Sequence, residues 1–324
     1  MSESEFPVLY IICPCYNEEP VLPDSSEKLK NKLLFLKGAE KISAASKILF
    51  VDDGSKDKTW QIIQNLHENA PEVFSGISLA HNAGQQNALL AGLLAVKDRC
   101  DIAVTLDVDL QDDIEAIDMM VDKYSSESCS IVYGCRNDRA SDTFFKRFTA
   151  ESFYRFMNFM GVKLVFNHAE FRLMDRRALK ALADFKEVNL FLRGLVPMIG
   201  LKQDCVYYER KKRLAGETKY SLSSLLNLAW QAVTSMSVMP IRSIMWIGVG
   251  MALLSVMMFI YALVSRINGI AISGWTSLMI SIWFIGGLNL FSIGIIGEYI
   301  GKIYLEVKHR PRFIIDKYLD INVK

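Results

Sequence analysis

Two uncharged runs constrain this chain more than anything else in it: 23 consecutive residues from Ser243 to Ser265, and 31 from Ile267 to Gly297. A membrane-spanning helix needs roughly 20 apolar residues, so each run is long enough. A pair of buried core helices fits less well, because helices in soluble cores seldom run this far without a charge. The flanks carry a direction. Arg210, Lys211, Lys212, Arg213, Lys219 and Arg242 precede the first run, and Lys302, Lys308, Arg310, Arg312 and Lys317 follow the second. The loop between, about Arg266 to Gly274, offers only Arg266. The positive-inside rule then predicts two transmembrane helices in the cell membrane, with both termini in the cytoplasm and the loop outside. The Met1 end has no apolar stretch long enough for a signal peptide, so the large N-terminal part is expected to stay cytoplasmic.

That N-terminal part is mixed and charged. The whole chain balances 37 basic against 36 acidic residues, and nothing in its global charge points to nucleic acid. Its six cysteines fit a reducing compartment. Cys13-Pro-Cys15 lies in a strand-like run with no second C-x-C or histidine pair to complete a zinc site, so buried free thiols are expected. Apolar runs at Val8–Cys13, Lys47–Val51, Gly76–Leu79, Ile102–Leu106 and Ile131–Gly134 read as strands, the first stopped by Pro14. Helical stretches at about Ser25–Gly38, Thr59–Asn69 and Asn87–Val96 alternate with them. This alternation predicts an α/β domain with a mostly parallel sheet, whose ligands bind beyond the carboxyl ends of the strands.

Polar clusters follow the first four of these strands: Tyr16-Asn-Glu-Glu19, Asp52-Asp-Gly-Ser-Lys-Asp57, His81-Asn-Ala-Gly-Gln-Gln86 and Asp107-Val-Asp-Leu-Gln-Asp-Asp113. Taken singly, each has an ordinary explanation as a turn or a helix cap. On a parallel sheet all four gather on one rim. If the chain stays extended past Leu106, Asp107 and Asp109 point to one face and can share an ion. Oxygen-only ligands suit Mg²⁺ or Mn²⁺. There is no G-x-G-x-x-G and no G-x-x-x-x-G-K-[ST], which removes support for dinucleotide and P-loop chemistry.

The order Pro14-Cys-Tyr-Asn-Glu-Glu, Val51-Asp-Asp-Gly-Ser-Lys-Asp-Lys-Thr59, Asn82-x-Gly-Gln-Gln and Asp107-Val-Asp-Leu-Gln-Asp resembles the inverting, family-2-type glycosyltransferases of the GT-A fold. With the two C-terminal runs, the resemblance narrows to the polyprenyl-phosphate glycosyltransferases, which include the bactoprenol glucosyltransferases and dolichyl-phosphate mannose synthases. It implies a GT-A domain over 1–220, a juxtamembrane helix over 221–240, and a two-span membrane domain with a cytoplasmic tail over 241–324. It also implies a nucleotide-sugar site at Pro14, Tyr16, Glu18, Asp53, Asn82, Gln85, Asp107 and Val108, with Asp107 and Asp109 holding the metal that bridges the diphosphate.

Further expectations attach to the second half. The aromatic and basic stretch Thr143–Met160 suits either a core helix or one lying at the bilayer interface, and the resemblance favours the interface. His168-Ala-Glu-Phe-Arg172 stands where the family usually shows an aspartate before the aromatic-Arg pair. Glu170 thus becomes the candidate catalytic base or acceptor-positioning group, with Asp112 and Arg172 beside it. His168 reads as structural. Arg136, Arg139, Arg210, Arg213 and Lys219 are candidates for the acceptor phosphate.

The reaction these features imply is inverting transfer of a hexose to a polyprenyl phosphate, glucose from UDP-glucose to undecaprenyl phosphate being favoured by resemblance over UDP-N-acetylglucosamine or GDP-mannose. The product is a lipid-linked sugar donor for the cell envelope. A processive polysaccharide synthase would carry more spans and a Q-x-x-R-W motif. A non-catalytic scaffold would have lost the D-x-D or the basic stretch from Arg210 to Lys219. Homo-oligomerisation is expected, since two spans give little lateral support alone.

Overall fold

The computed structural model describes residues 6–136, 155, 157, 159–161, 168–209, 230, 233–267 and 274–319. They form two compact units, one holding residues up to 155, 163–221 and the tail from 310, the other 156–162 and 222–309.

The first unit is an eight-stranded mixed sheet in the order β7-β5-β6-β4-β1-β2-β3-β8. Its strands are β1 (Leu9–Cys15), β2 (Lys47–Asp52), β3 (Phe74–Leu79), β4 (Ile102–Thr105), β5 (Ile131–Arg136), β6 (His168–Asp175), β7 (Gln203–Tyr208) and β8 (Ile315–Leu319). All neighbours pair parallel except β4–β6, β5–β6 and β3–β8, so only β6 and β8 run against the rest. The helices are α1 (Leu22–Gly38), α2 (Thr59–Asn69), α3 (Gln85–Val96), α4 (Ala116–Glu127), α5 (Arg176–Asp184) and α6 (Leu192–Met198). Residues of α1, α2 and α4 share one core with alternate strand positions, including Ile11, Phe50 and Val104. Those of α3, α5 and α6 share the other, with Ile12, Leu49 and Ala103. Both faces are covered, which is why the strands read as continuous apolar runs rather than alternating ones. The expected α/β architecture, a mostly parallel GT-A-type sheet, is present, and five of the six cysteines are buried thiols.

Three features differ from the sequence reading. Pro14 does not end β1, which pairs on to Cys15 opposite Asp52. In a parallel strand the N–H and C=O of one residue point the same way. Cys15 C=O accepts from Asp53 on the β2 side and Ile12 C=O from Leu106 on the β4 side. Pro14 therefore turns its nitrogen toward β4, whose pairing with β1 has already stopped at Ile12, and no ladder bond is lost. The tail, for which the sequence suggested no strand, supplies β8 and closes the β3 edge of the sheet. The short apolar runs also left β6, β7, α4, α5 and α6 unread.

The second unit contains α7 (Met239–Ile267) and α8 (Trp275–Val307). At 1.5 Å per residue these helices are about 43 Å and about 50 Å long, each more than the ~30 Å of a bilayer's hydrocarbon core. Each contains a window long and apolar enough to cross a membrane, and neither window is buried. A soluble core helix would be covered, so exposure of Trp246, Leu253, Met257, Phe284, Leu290 and Phe291 argues for a lipid environment. At the start of α7, Tyr299 donates to the Ser237 carbonyl at 2.6 Å, and Lys302 donates to Ser235 Oγ at 3.0 Å. Most of the Thr143–Met160 stretch and more than half of the juxtamembrane helix expected over 221–240 lie outside the described residues.

Candidate active site

The carboxyl ends of β1, β2, β3, β4, β5 and β7 share one rim, and β6, running the other way, brings its amino end there. That reversal puts Glu170 beside the D-x-D segment although 60 residues of chain separate them.

Three loops interlock on one side of the rim. Asn17 N–H donates to Ser55 Oγ (2.9 Å), Glu18 N–H to Thr59 Oγ1 (2.9 Å), and Lys56 N–H to Asn17 Oδ1 (2.9 Å). Asn17 takes a left-handed φ of 53°, which asparagine tolerates. The buried Asp53 carboxylate accepts from Ala83 N–H at 2.7 Å and Gly84 N–H at 2.9 Å, so it shapes the loop after β3. Burial raises its pKa against the lowering effect of these two bonds. Gly54 between them is obligatory. Its φ is +67°, and a Cβ there would stand 2.7 Å from the His81 carbonyl carbon. Pro14 is buried, Tyr16 and Asn82 are exposed, and Val108 is buried in the core.

The D-x-D pair is not extended. β4 stops at Thr105, Val108–Asp109 form a turn, Leu110 N–H returns to the Asp107 carbonyl at 3.2 Å, and Leu110 has φ +46°. The two carboxylates approach by that turn and not by strand alternation. Gln85 Nε2 donates to Asp107 Oδ1 at 2.8 Å, and the Gln111 side-chain amide binds Asp109. Burial first, then the charges of Asp112, Glu170 and Asp109, push Asp107 up to about 7. Asp107 and Asp109, both part-exposed, offer oxygen-only ligands of the kind that Mg²⁺ or Mn²⁺ takes, while Asp112 and Glu170 are engaged by their own partners.

Cations brace the other side. Glu170 is 6% exposed and Arg172 1%. Arg172 Nη2 bonds Glu170 Oε2, and its Nη1 reaches the Leu192 carbonyl at 3.4 Å. Arg193 Nε donates to Glu170 Oε1 at 2.7 Å from the first turn of α6. Burial works to raise the Glu170 pKa, but Arg172 and Arg193 outweigh it and hold the carboxyl below the ordinary glutamate range. Asp112, also buried, accepts from Tyr208 OH at 2.6 Å and Arg136 Nη2 at 3.2 Å. Arg136 Nε is buried without a partner among the described residues.

The expected residues Asp107, Asp109, Asp112, Glu170, Arg172, Gln85 and Arg136 are thus brought together on one rim, with Asp53 and Glu18 in its loop wall. Arg139, Arg210, Arg213 and Lys219 lie outside the described residues. Sequence reasoning missed Arg193, Gln111 and the role of Tyr208. Arg193 sits on a seven-residue helix containing Pro197, too short and irregular for a periodic signal. Buried His168 packs edge-on against Tyr133, as its structural reading expected.

The family model described as Glycosyl transferase family 2 matches residues 10–183. The uncharacterized glycosyltransferase YkoT of Bacillus subtilis (strain 168) is 50% identical, covering 98% of this chain and 93% of its own. The prophage bactoprenol glucosyl transferase homolog of Escherichia coli (strain K12) is 38% identical, covering 95% of this chain and 98% of its own. Among solved structures, mannosyl-3-phosphoglycerate synthase from Rubrobacter xylanophilus aligns with a TM-score of 0.47 at 15% identity, over 70% of this chain and 72% of that one. The family match spans the sheet from β1 through α5 and contains every strand-end acid described above. The protein belongs to glycosyl transferase family 2 and is a glycosyltransferase.

Proposed function

We propose that the protein transfers glucose from UDP-glucose to a membrane polyprenyl phosphate, undecaprenyl phosphate in a bacterial membrane, at the cytoplasmic face and with inversion at the anomeric carbon. The observation that carries this reading is the extent of the likeness to the bactoprenol glucosyl transferase homolog. It covers 95% of this chain, too much to leave out the two apolar helices. A transferase for a water-soluble acceptor has no use for two exposed apolar windows of 20 and 24 residues, each long enough to cross a membrane. The return of the tail to the sheet as β8 supports an even number of crossings, which leaves both ends of the chain on one side.

The acceptor simplifies the chemistry. A phosphate monoester has its second pKa near ~6, so at neutral pH it is largely dianionic and needs little help from a base. The site's task is to hold two anions in line and stabilise the charge that develops on the leaving diphosphate. A divalent ion held by Asp107 and Asp109 would neutralise that diphosphate. Glu170 positions rather than accepts a proton, because two guanidinium partners make it a weak base. Arg136 is held at the rim by Asp112 and Tyr208. Burial and the Asp112 charge keep the Tyr208 phenol protonated, so it donates. Arg136, with Arg139, Arg210, Arg213 and Lys219, is assigned to the acceptor phosphate. The loops carrying Pro14, Tyr16, Glu18, Asp53 and Asn82 are assigned to the nucleotide.

The test uses full-length protein in nanodiscs with undecaprenyl phosphate and a panel of labelled nucleotide sugars. UDP-glucose with Mg²⁺ or Mn²⁺ is expected to label the lipid, and Asp109→Asn or chelation to cut the rate by about 10²-fold or more. Full turnover in both would remove the metal from the account. Preference for another sugar would overturn the glucose assignment and leave the lipid acceptor standing.

A further inference from the structure

We propose that Arg312, in the tail beyond the last apolar helix, is a positioning residue for sugar transfer that acts through Arg193. The stretch 185–191 between α5 and α6 is neither helix nor strand, and part of its backbone is held by a side chain from the tail. Arg312 Nη2 donates to the Phe185 carbonyl at 3.1 Å and Nη1 to the Glu187 carbonyl at 3.3 Å. A guanidinium presents such a fork in one plane, and an ammonium does not. The stretch runs directly into α6, where Leu192 N–H donates to Gln86 Oε1 at 2.9 Å and Arg193 reaches Glu170.

The neighbours of Arg312 hold the opposite wall. Ile314 C=O accepts from Ala80 N–H at 2.9 Å, one residue before the loop that Asp53 shapes. Phe313 packs against the same core face as Leu190. Arg312 and Ile314 therefore tie the tail to the stretch that leads into Arg193 and to the residue that follows β3. Farther along β8, Tyr318 meets Arg99, with 2.6 Å between its hydroxyl and Nη1, away from the rim. Docking of the tail and support of the site are thus separable by residue.

The kinetic arm of the test rests on the lipid-phosphate reading above; the exchange arm does not. Hydrogen exchange on the full chain in nanodiscs is expected to quicken across 185–195 in Arg312→Ala and to stay at the wild-type level there in Tyr318→Phe. Unchanged exchange in Arg312→Ala overturns the proposal. In the transfer assay, Arg312→Ala is expected to lower kcat by roughly tenfold to a hundredfold with KM for the nucleotide sugar nearly unchanged, and Arg312→Lys to recover only part of it. Because the effect passes through Arg193, adding Arg312→Ala to Arg193→Gln should cost less than threefold more. Multiplication of the two single effects would overturn the proposal. A wild-type chain that transfers nothing to lipid would count against the proposed function, and the exchange result would then decide this one.

Discussion

Glu170 and Arg172 carry the strongest consequence at the scale of single residues. Arg172 is 1% exposed, so removing the charge of its partner strands a guanidinium in the core. Glu170→Gln is expected to destabilise the protein by about 3–5 kcal/mol at neutral pH. The depressed Glu170 pKa sets the sign of the pH dependence. Its stabilisation is complete above the unfolded value near 4.5 and is lost as pH falls through the lower folded value. The melting-temperature gap between wild type and Glu170→Gln should therefore be constant from about pH 6 to about 8 and shrink below about 4.5. A gap that widened on acidification would contradict the pairing. Gly54→Ala forces a side chain into φ +67° against the His81 backbone. A loss of about 2 kcal/mol or more is expected, with weaker UDP binding by calorimetry. Asp53, Asp107, Asp109 and Asp112 were legible in the sequence because they follow apolar runs, and Glu170 only through the family resemblance at His168–Arg172. Arg193 was not, since nothing in its local pattern distinguishes it from a surface arginine.

At the scale of elements, strand order placed most of the site and local geometry corrected it. Asp107 and Asp109 were picked out by their spacing, yet they meet through the turn at Val108–Asp109, with Leu110 at positive φ. A carboxyl-end cluster needs only a strand that stops, and the sequence shows where β4 stops to within a residue. It does not show that β6 runs antiparallel, because its direction depends on pairing with β4 and β5. Pro14 is a second case. Its nitrogen faces the side where β4 has ended, so Pro14→Ala should change stability by less than about 1 kcal/mol in urea unfolding of the detergent-solubilised chain. A larger gain would mean that a ladder bond had been missing.

For the whole molecule, charge asymmetry around two uncharged runs pointed to membrane spans, and α7 and α8 have the length and exposed apolar surface that such spans require. The tail's return to the sheet was hidden, because a five-residue edge strand flanked by charges has no signal above an ordinary loop. If the two helices span, single cysteines placed at residue 270 should react with an impermeant reagent added outside intact cells, and cysteines at 315 should not. Equal labelling at both would break the two-crossing account. The central claim is that the sugar alone, without its phosphate, moves to a lipid phosphate. It is tested most directly by identifying the nucleotide released when full-length protein, undecaprenyl phosphate and doubly labelled UDP-glucose are incubated together. The account expects UDP in equal amount to a mild-acid-labile glucolipid, both lost in Asp109→Asn. Release of UMP, or UDP with no labelled lipid, would contradict it.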